Sequence, residues 1–407
     1  MSLADVTVQM AGGYWINHSG IQADALLSIV TTGTNPYSCA RVRLAAAYDE
    51  RILGTFPFAN QAANDAYVWV MFWWWCPALA AGESAGIWGP GTDSGGKLNL
   101  LAVYNAGGFT VNLRSSTVSN DTGTTAYATG TSSPHLFIVR YNTSTQACDV
   151  WIDHVLELSA TTAGSTDGFV EHWTGWNSPG GVDSNVTGNR DWAQFVQATS
   201  PNADDIDPTT MYPEVLFMYP DGDGDIVQFG DHTDCTAGST TGSYAHWDDW
   251  AAFAANDGDT TNNCGASNAT EEEISTLTAP TFANTILGVQ HAMLIRQGAA
   301  VGKVINHDAI IRENSTSRKV ALGATIPVTY TPELTIFHLS PDGSPWDQTI
   351  INALQGGVGR APTSPESDIR ITALALEAVA IGTVAPSGFE ITLPGAGDRR
   401  RLLSQVI

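Results

Sequence analysis

The chain has 407 residues, of which 43% are hydrophobic and 14% are charged, with 40 glycines, 19 prolines and 13 tryptophans. This composition excludes intrinsic disorder and is typical of an all-β protein with many turns and large cores. The net charge of −24, from 41 acidic and 17 basic residues, argues against nucleic-acid binding and against adhesion to anionic membranes. A neutral glycan or a partner with a basic face suits such a surface better.

The five cysteines are widely spaced and form no CxxC pair, which argues against a structural zinc site. Cys39, Cys76 and Cys148 lie in apolar runs and are predicted to be buried thiols. Cys235 and Cys264 lie in polar stretches, and the sequence leaves open whether they pair. The N-terminal residues contain no basic region followed by an apolar run, so we expect no signal peptide.

The strongest predicted strand is 67–76, because its residues are almost all aromatic or β-branched. It is about half as long as a membrane helix must be, so we expect no membrane insertion. Pro77 ends it, since proline cannot donate to a central ladder. Further strands are predicted within 87–101 and 109–113, whereas 159–190 reads as a long surface loop.

Residues 134–158 predict an antiparallel hairpin, with turn residues at 142–145. The first arm is apolar on both faces, and the return arm has one face, with Asp149, Trp151 and Asp153, that we expect to be wet. The run VRYNTSTQACDVWIDHVL resembles the laminin-G/concanavalin-A-like jelly-roll family. The resemblance implies that the hairpin belongs to a jelly roll, which we predict to span 1–220 and to close with strands near 192–196 and 215–218.

A second resemblance covers 211–360. In order and spacing, MYPEVLFMYPDGDGDIVQFG, ILGVQHAMLIRQ and LSPDGSPWDQTIINALQGGVGR resemble a region of tailed-bacteriophage structural proteins that commonly follows a laminin-G-like domain. The chain departs from that pattern at Ser340 and Pro341, where the family has Asp-Pro, and in a less acidic central segment. The resemblance implies a second β-sandwich of phage structural type at 221–382, followed by a C-terminal tail at 383–407.

One short helix is predicted near 345–355, with Ser344 as its N-cap, Asp347 complementing its dipole, and Gly356 and Gly357 ending it. Its apolar face would contain Ile350, Ile351 and Leu354. The three glutamates 271–273 fit the start of a helix, and 369–381 fits a terminal strand. The predicted fold class is therefore all-β, with two β-sandwich (jelly-roll) domains in tandem and one short helix.

Asp221, Asp223 and Asp225 alternate in a DGDGD run and could ligate calcium. However, Ile226 and His232 occupy the positions where a calcium-binding EF-hand loop needs glycine and glutamate, and a tight turn explains the residues without a metal. Asp248, Asp249, Asp257 and Asp259 leave the same two alternatives. We predict no cofactor. The sequence also lacks the paired-carboxylate run of jelly-roll glycosidases and the HExxH motif, so no catalytic residues are predicted.

Trp173, Trp176 and Tyr212 lie in polar surroundings, where they could stack on sugar rings or else plug the ends of the sandwich. Arg399, Arg400 and Arg401 form a basic cluster in an acidic chain. They could dock on a neighbouring subunit or belong to a solvated terminus.

The phage resemblance implies a non-enzymatic virion protein, made in the host cytoplasm and displayed on the particle surface as a head decoration, a head fibre or a tail fibre. Its expected partners are other virion proteins, further copies of itself in a symmetric homo-oligomer (a trimer by analogy), and a host surface glycan. The alternative is a carbohydrate-active enzyme or a secreted carbohydrate-binding module. The sequence does not separate head from tail placement.

Overall fold

The computed structural model describes residues 6–12, 27–30, 41–44, 52–55, 66–76, 78–90, 99–114, 121–130, 133–160, 171–174, 190–231, 263–265, 270–297, 305–323, 331–362 and 369–385, together with 3, 326 and 328. By its contacts the chain divides into a first unit, 1–215 with 381–407, and a second unit, 216–380. The predicted all-β class is confirmed, since the described residues form 25 strands and one short helix. The domain limits predicted from the sequence stay predictions.

The strands of the first unit form two antiparallel sheets. They are β1 (Thr7–Gly12), β2 (Leu27–Val30), β3 (Arg41–Leu44), β4 (Ile52–Thr55), β5 (Tyr67–Trp75), β6 (Ser84–Pro90), β7 (Asn99–Asn105), β8 (Gly108–Arg114), β9 (Asp121–Thr122), β10 (Pro134–Asn142), β11 (Cys148–Ile152), β12 (Val155–Ala160), β13 (Glu171–Thr174) and β14 (Arg190–Ser200). An eight-stranded sheet has the order β12-β11-β10-β5-β14-β3-β2, with β1 also paired to β14, and a six-stranded sheet has the order β4-β13-β6-β7-β8-β9.

The core of the first unit is aromatic and centres on β5. Phe72 pairs with Phe137 of β10 across the ladder, and their rings stack at 5.5 Å. Trp74 meets Phe109 of the six-stranded sheet edge-on, with ring centroids 5.5 Å apart. Because side chains alternate along a strand, these residues share the face that packs on the other sheet. Each such burial stabilises the fold by roughly 1.5–3 kcal/mol.

The predicted hairpin is confirmed as β10 and β11, paired from Tyr141 opposite Cys148 to Phe137 opposite Ile152. The expectation of a wet face on the return arm was wrong in part, because Trp151 is only 6% exposed, whereas the Asp153 side chain is 44% exposed. The return arm also does not run on to residue 158. It reverses into β12 at Asp153 and His154, whose φ angles of 50° and 70° are those of a left-handed two-residue turn.

The second unit also contains two antiparallel sheets. Its elements are β16 (Pro220–Val227), β17 (Gly230–Asp231), β18 (Asn263–Gly265), β19 (Glu271–Leu277), β20 (Thr285–Gln297), β21 (Ile305–Glu313), β22 (Thr316–Gly323), β23 (Thr331–Phe337), α1 (Gln348–Ala353) and β24 (Leu354–Pro362). The division between the units falls within β15 (Tyr212–Met218) and β25 (Ile369–Gly382). One sheet has the order β17-β18-β25-β20-β23, with β15 on β25, and the other has the order β16-β19-β24-β21-β22.

The core of the second unit is mainly aliphatic and includes residues from both sheets and from α1, among them Met293, Ile311, Ile350, Val358 and Leu376. Two predictions are confirmed here: the terminal strand at 369–381 and the short helix within 345–355. The glutamates 271–273 were predicted to begin a helix, which was wrong, because they form the start of β19.

The N-cap of α1 is Asp347, whose carboxylate accepts a hydrogen bond from the Ile350 backbone N–H at 2.9 Å. The prediction of Ser344 was wrong, because that residue belongs to the preceding turn, where its N–H donates to Asp342. The helix also ends before Gly356 and Gly357, since β24 already begins at Leu354.

Two further predictions concern the first unit. The long loop expected over 159–190 was wrong in part, because β12 reaches Ala160 and β13 lies at Glu171–Thr174. Cys76 and Cys148 are buried free thiols as predicted, and burial raises the pKa of both. Cys39, Cys235 and the side chain of Cys264 lie outside the described residues. Within the described part of the chain, no helix has the length and apolarity needed to cross a membrane.

Candidate functional site

The face of the eight-stranded sheet opposite the core presents aromatic rings around one arginine. The guanidinium of Arg140 on β10 lies 5.9, 5.6 and 5.1 Å from the ring centroids of Tyr67, Trp69 and Trp151. Its Nε and Nη2 donate to Asp149 Oδ2 at 3.2 and 2.7 Å. Attraction to the ring faces and to a carboxylate therefore holds this cation among apolar groups.

A segment that we call the strap, residues 201–211, crosses this aromatic face between β14 and β15. Its Ala203 carbonyl accepts a hydrogen bond from Arg140 Nη1 at 2.9 Å. Ser200, at the end of β14, accepts from Trp69 Nε1 and donates to the Asn202 carbonyl, both at 2.9 Å. Ile206 is fully buried. The rings around Arg140 are thus covered by the chain itself and do not form an open cleft.

At the end of the strap, Tyr212 stacks on Trp73 with ring centroids 6.2 Å apart and planes 13° from parallel. His154 meets Tyr212 edge-on at 4.5 Å. Trp73 is 7% exposed, whereas Tyr212 and His154 are partly exposed. We call these three residues the aromatic patch. A rigid aromatic ring with one supported face and some exposed area is suited to stacking on an apolar surface of a ligand.

The turn that carries His154 is held from two sides. Asp153 Oδ1 accepts from the Leu136 N–H at 2.9 Å, and Oδ2 lies 2.6 Å from His135 Nδ1. His135 Nε2 lies 3.0 Å from the Ala128 carbonyl, so a protonated ring donates to both acceptors and a neutral ring to one. His154 Nδ1 bonds the Pro208 carbonyl of the strap at 2.9 Å. Sheet and strap together therefore fix the position of the patch.

The strand that follows this turn is an edge strand with exposed apolar residues, since Val155 and Leu156 are 59% and 51% exposed. Its register shifts opposite Val150 and Trp151, which indicates a bulge at Glu157. The Glu157 carboxylate accepts from Thr125 N–H at 2.8 Å and from the Tyr127 hydroxyl at 3.1 Å. The bulge and the charged Glu157 side chain both disfavour pairing of this edge with another strand.

Several carboxyl groups have pKa values below their ordinary range. Burial works to raise the pKa of Glu157, but hydrogen bonds from Thr125 and Tyr127 outweigh it. A hydrogen bond from Thr209 lowers the pKa of Asp207, and hydrogen bonding with Gln355 and Arg312 does the same for Asp225. Hydrogen bonds from Ser340 and Ser344 lower the pKa of Asp342. A general acid needs the opposite shift, so these groups are poorly suited to proton donation.

One motif was overlooked at the level of sequence. Residues 82–86 read GESAG, which fits the GxSxG pattern of serine hydrolases. That pattern has a catalytic meaning when its serine lies on a sharp turn from a strand into a helix. Here Ser84 is buried and begins β6 after a turn, so the local structure is not that of an activated nucleophile.

The acidic run predicted as a possible metal site lies on β16. Asp221 Oδ1 accepts from the Thr276 hydroxyl at 2.8 Å, and Asp225 pairs with Arg312 at 3.1 Å. Among the described residues, no three His, Cys, Asp or Glu side chains group closely enough to hold a metal ion. Asp248, Asp249, Asp257 and Asp259 lie outside the described residues, as do Trp176, Arg399, Arg400, Arg401 and the side chain of Trp173.

The second unit contains a row of ionisable groups that sequence reasoning missed. Arg360 of β24 lies opposite Glu271 of β19 and His307 of β21. Arg360 Nη1 donates to Glu271 Oε2 at 2.8 Å, and both residues are buried. His307 Nε2 lies 2.7 Å from Glu333 of β23, in the other sheet. The row links four strands, β19, β24, β21 and β23, and so connects both sheets.

No protein-family model and no curated protein matches the chain. Among solved structures, it is similar to the binding domain of Paraclostridial Mosquitocidal Protein 1, at 9% identity and a TM-score of 0.36, over 55% of this chain and 61% of that one. It is also similar to Trypanosoma rangeli sialidase bound to 2,3-difluorosialic acid, at 10% identity and a TM-score of 0.32, over 50% and 31%. A third is LamAcat from Zobellia galactanivorans, at 14% identity and a TM-score of 0.31, over 48% and 98%. The chain thus spans less than two thirds of the first two proteins.

Proposed function

We propose that this chain is a non-enzymatic structural protein displayed on the surface of a tailed-phage particle, as a head decoration, a head fibre or a tail fibre, and that its first unit binds glycans. The particle setting is supported by the resemblance over 211–360. The sequence runs that carry that resemblance correspond to β15 with β16, to β20, and to α1 with β24.

The observation that carries the glycan part is the stacking of partly exposed Tyr212 on buried Trp73. Pyranose rings present faces of C–H groups that pack on aromatic rings. A ring that already stacks on Trp73 and makes a T-shaped contact with His154 loses little freedom on binding. The exposed Leu156, two residues after His154, extends the apolar surface.

The non-enzymatic part is supported by how the described polar groups are used. The cation nearest the aromatic rings, Arg140, has donors from all three guanidinium nitrogens bonded to Asp149 and Ala203. The carboxyl groups of Glu157 and Asp207 have lowered pKa values and accept hydrogen bonds from their own fold. Groups held in this way contribute to rigidity and have little capacity for proton transfer.

A binding experiment tests the glycan part. The full-length protein is applied to an oligosaccharide panel together with Tyr212→Ala and Tyr104→Ala, whose residue is a 37% exposed tyrosine at the end of β7 in the other sheet. Loss of a stacked ring should weaken binding by about tenfold in Tyr212→Ala and leave Tyr104→Ala unchanged. Equal binding by all three proteins, or no binding to the panel, would contradict the proposal.

Two further measurements test the remaining parts. Antibody labelling of purified particles, viewed by electron microscopy, should place the chain on the exterior and separate head from tail. Its absence from particles would contradict the virion role. Incubation of the purified protein with polysaccharides should release no new reducing ends. Turnover that is lost when one carboxyl pair is replaced would establish the carbohydrate-active enzyme instead.

A further inference from the structure

The charge around the aromatic patch bears on which glycans it accepts. This inference rests on the glycan binding proposed above and concerns the chemical class of the sugar. Tyr212 directly follows the strap, and within the strap the Asp207 carbonyl accepts from the Met211 N–H at 2.9 Å. His154 Nδ1 bonds the carbonyl of Pro208, the residue after Asp207, at 2.9 Å, so the strap brings Asp207 close to the patch.

Two carboxylates flank the turn and the strap at the patch. Asp207 is partly exposed, and its oxygens accept from the Thr209 hydroxyl at 2.6 Å and the Thr210 hydroxyl at 2.9 Å. Asp153, in the same turn as His154, has a side chain that is 44% exposed. A sugar acid placed on Tyr212 would therefore approach two carboxylates.

The described cation of this face is largely engaged within the fold. Proteins recognise the carboxylates of sialic and uronic acids with arginine, since its planar fork matches two carboxylate oxygens. Among the arginines whose side chains the structure describes, Arg140 lies on this face, and its Nε, Nη1 and Nη2 are bonded to Asp149 and to the strap. Three of its five N–H donors are thus used, and three aromatic rings surround the guanidinium.

We propose that the aromatic patch selects uncharged hexopyranosides and rejects sugars that carry a carboxylate. Tyr212 supplies the stacking surface, and the partly exposed carboxylate of Asp207 accepts hydrogen bonds from sugar hydroxyls. This carboxylate and that of Asp153 repel a sugar acid, with a range limited by the Debye length of about 8 Å at physiological ionic strength.

The test uses glycan pairs that differ in one acidic group: lactose against 3′-sialyllactose, and a galactan oligomer against the matching polygalacturonate oligomer. Affinities are measured by calorimetry on the full-length protein at low and at high salt. We expect the neutral member of each pair to bind at least about fivefold more tightly at low salt, with a smaller ratio at high salt, because screening weakens the repulsion. Asp207→Asn should reduce the ratio of neutral to acidic affinity, because it removes one of the repelling charges.

The outcomes distinguish failure of the preference for uncharged sugars from failure of glycan binding itself. Equal or tighter binding of the acidic members by the wild-type protein would overturn the selectivity and leave glycan binding standing. Failure of every member to bind would overturn the proposed glycan function itself. Tyr212→Phe retains the ring and should keep the preference, whereas Tyr212→Ala should lose affinity. If Tyr212→Ala binds as tightly as the wild type, the site lies elsewhere and this inference fails.

Discussion

Each unit holds an arginine among apolar residues, partly exposed in the first unit and buried in the second, and the two are stabilised in different ways. In the first unit, Arg140 lies on the face of the sheet away from the core, among three aromatic rings and beneath the strap. In the second unit, Arg360 lies on the core face of β24, the face of Val358, where it is 1% exposed and paired with Glu271. The first cation is held by ring faces, the Ala203 carbonyl and a partly solvated carboxylate, whereas the second is paired with a buried carboxylate.

The surroundings of the two arginines follow from the residues beside them. Bulky aromatic side chains on β5 build a layer thick enough to enclose Arg140. In the second unit, β24 instead contains Gly356 and Gly357, and a Cβ added at Gly357 would lie 2.0 Å from the Glu273 carbonyl oxygen. A charged side chain that is buried between strands is costly unless an opposite charge and hydrogen bonds compensate it, and Arg360 and Glu271 pair in this way.

The largest expected effect is on the second arginine. Arg360→Ala leaves the Glu271 carboxylate buried without its partner and should lower the free energy of unfolding by about 3–5 kcal/mol. Urea denaturation and hydrogen exchange of the peptide 354–362 measure this loss. The double variant Glu271→Leu/Arg360→Leu removes both charges and should recover most of it. A double variant as unstable as the single one would show that the charges are not the cause.

The second prediction concerns pH and His291, whose Nε2 lies 2.9 Å from the Gly357 carbonyl between the two sheets of the second unit. Burial lowers the pKa of His291 from 6.5 to about 4, although the hydrogen bond to Gly357 works against it. Above pH about 6.5 the ring is neutral in both the folded and unfolded chain. As the pH falls towards 4, only the unfolded chain binds the proton, so up to roughly 3 kcal/mol of stability is lost.

His291→Gln retains a donor for Gly357 and cannot titrate. Unfolding midpoints at pH 7.5, 5.5 and 4.5 should therefore fall less steeply for this variant than for the wild type. His291→Phe should show the same shallower slope from a lower starting stability, since it lacks the donor. Parallel curves for all three proteins would mean that other groups determine the acid sensitivity.

The third prediction returns to the first arginine. Arg140→Ala should lower the free energy of unfolding by roughly 2 kcal/mol, which is less than Arg360→Ala. The loss is smaller because the Asp149 carboxylate, left without its partner, is still partly solvated. Hydrogen exchange should accelerate in the strap, which loses the bond to its Ala203 carbonyl. Arg140→Lys should not restore the slow exchange, since a lysine cannot stack as a planar fork. Equal losses in the free energy of unfolding for Arg140→Ala and Arg360→Ala would contradict the proposed difference between the two arginines.

The smallest expected effect is at α1. Asp347→Ala should lower the free energy of unfolding by about 1 kcal/mol, because the Ile350 N–H loses its acceptor. Ser344→Ala, at the residue that the sequence pattern favours as the cap, should cost less. Thermal unfolding of the two variants separates them, and a larger loss in Ser344→Ala would contradict the assignment of the cap.

Local patterns predicted the elements whose environment is uniform along their length. The apolar run of β5 and the alternation in β25 required no knowledge of partners, since strands of that composition are buried in any sandwich. The wet face expected for β11 was wrong at Trp151, because that ring packs against Trp69 of β5 and Arg140 of β10, which lie earlier in the chain. Alternation along a strand shows which residues share a face, but it does not show what covers that face.

Buried charge was the other feature that local patterns concealed. Three consecutive glutamates favour a solvated helix start, because unpaired carboxylates are almost never buried. The partner that makes Glu271 a strand residue, Arg360, lies 89 positions away. For the aromatic patch, the sequence supplied Tyr212 as a candidate but not Trp73 beneath it or His154 beside it. Those contacts depend on the turn at 153–154 and on the path of the strap.

The turn between β11 and β12 contains Asp153 and His154, although its backbone geometry favours other residues. Both positions are left-handed, and asparagine followed by glycine adopts that geometry with less strain than aspartate followed by histidine. A library randomised at these two codons and sorted for expression level alone should therefore become enriched in Asn-Gly. Sorting the same library for adhesion should retain Asp-His, so the two enrichment profiles would separate what this turn contributes to folding from what it contributes to recognition.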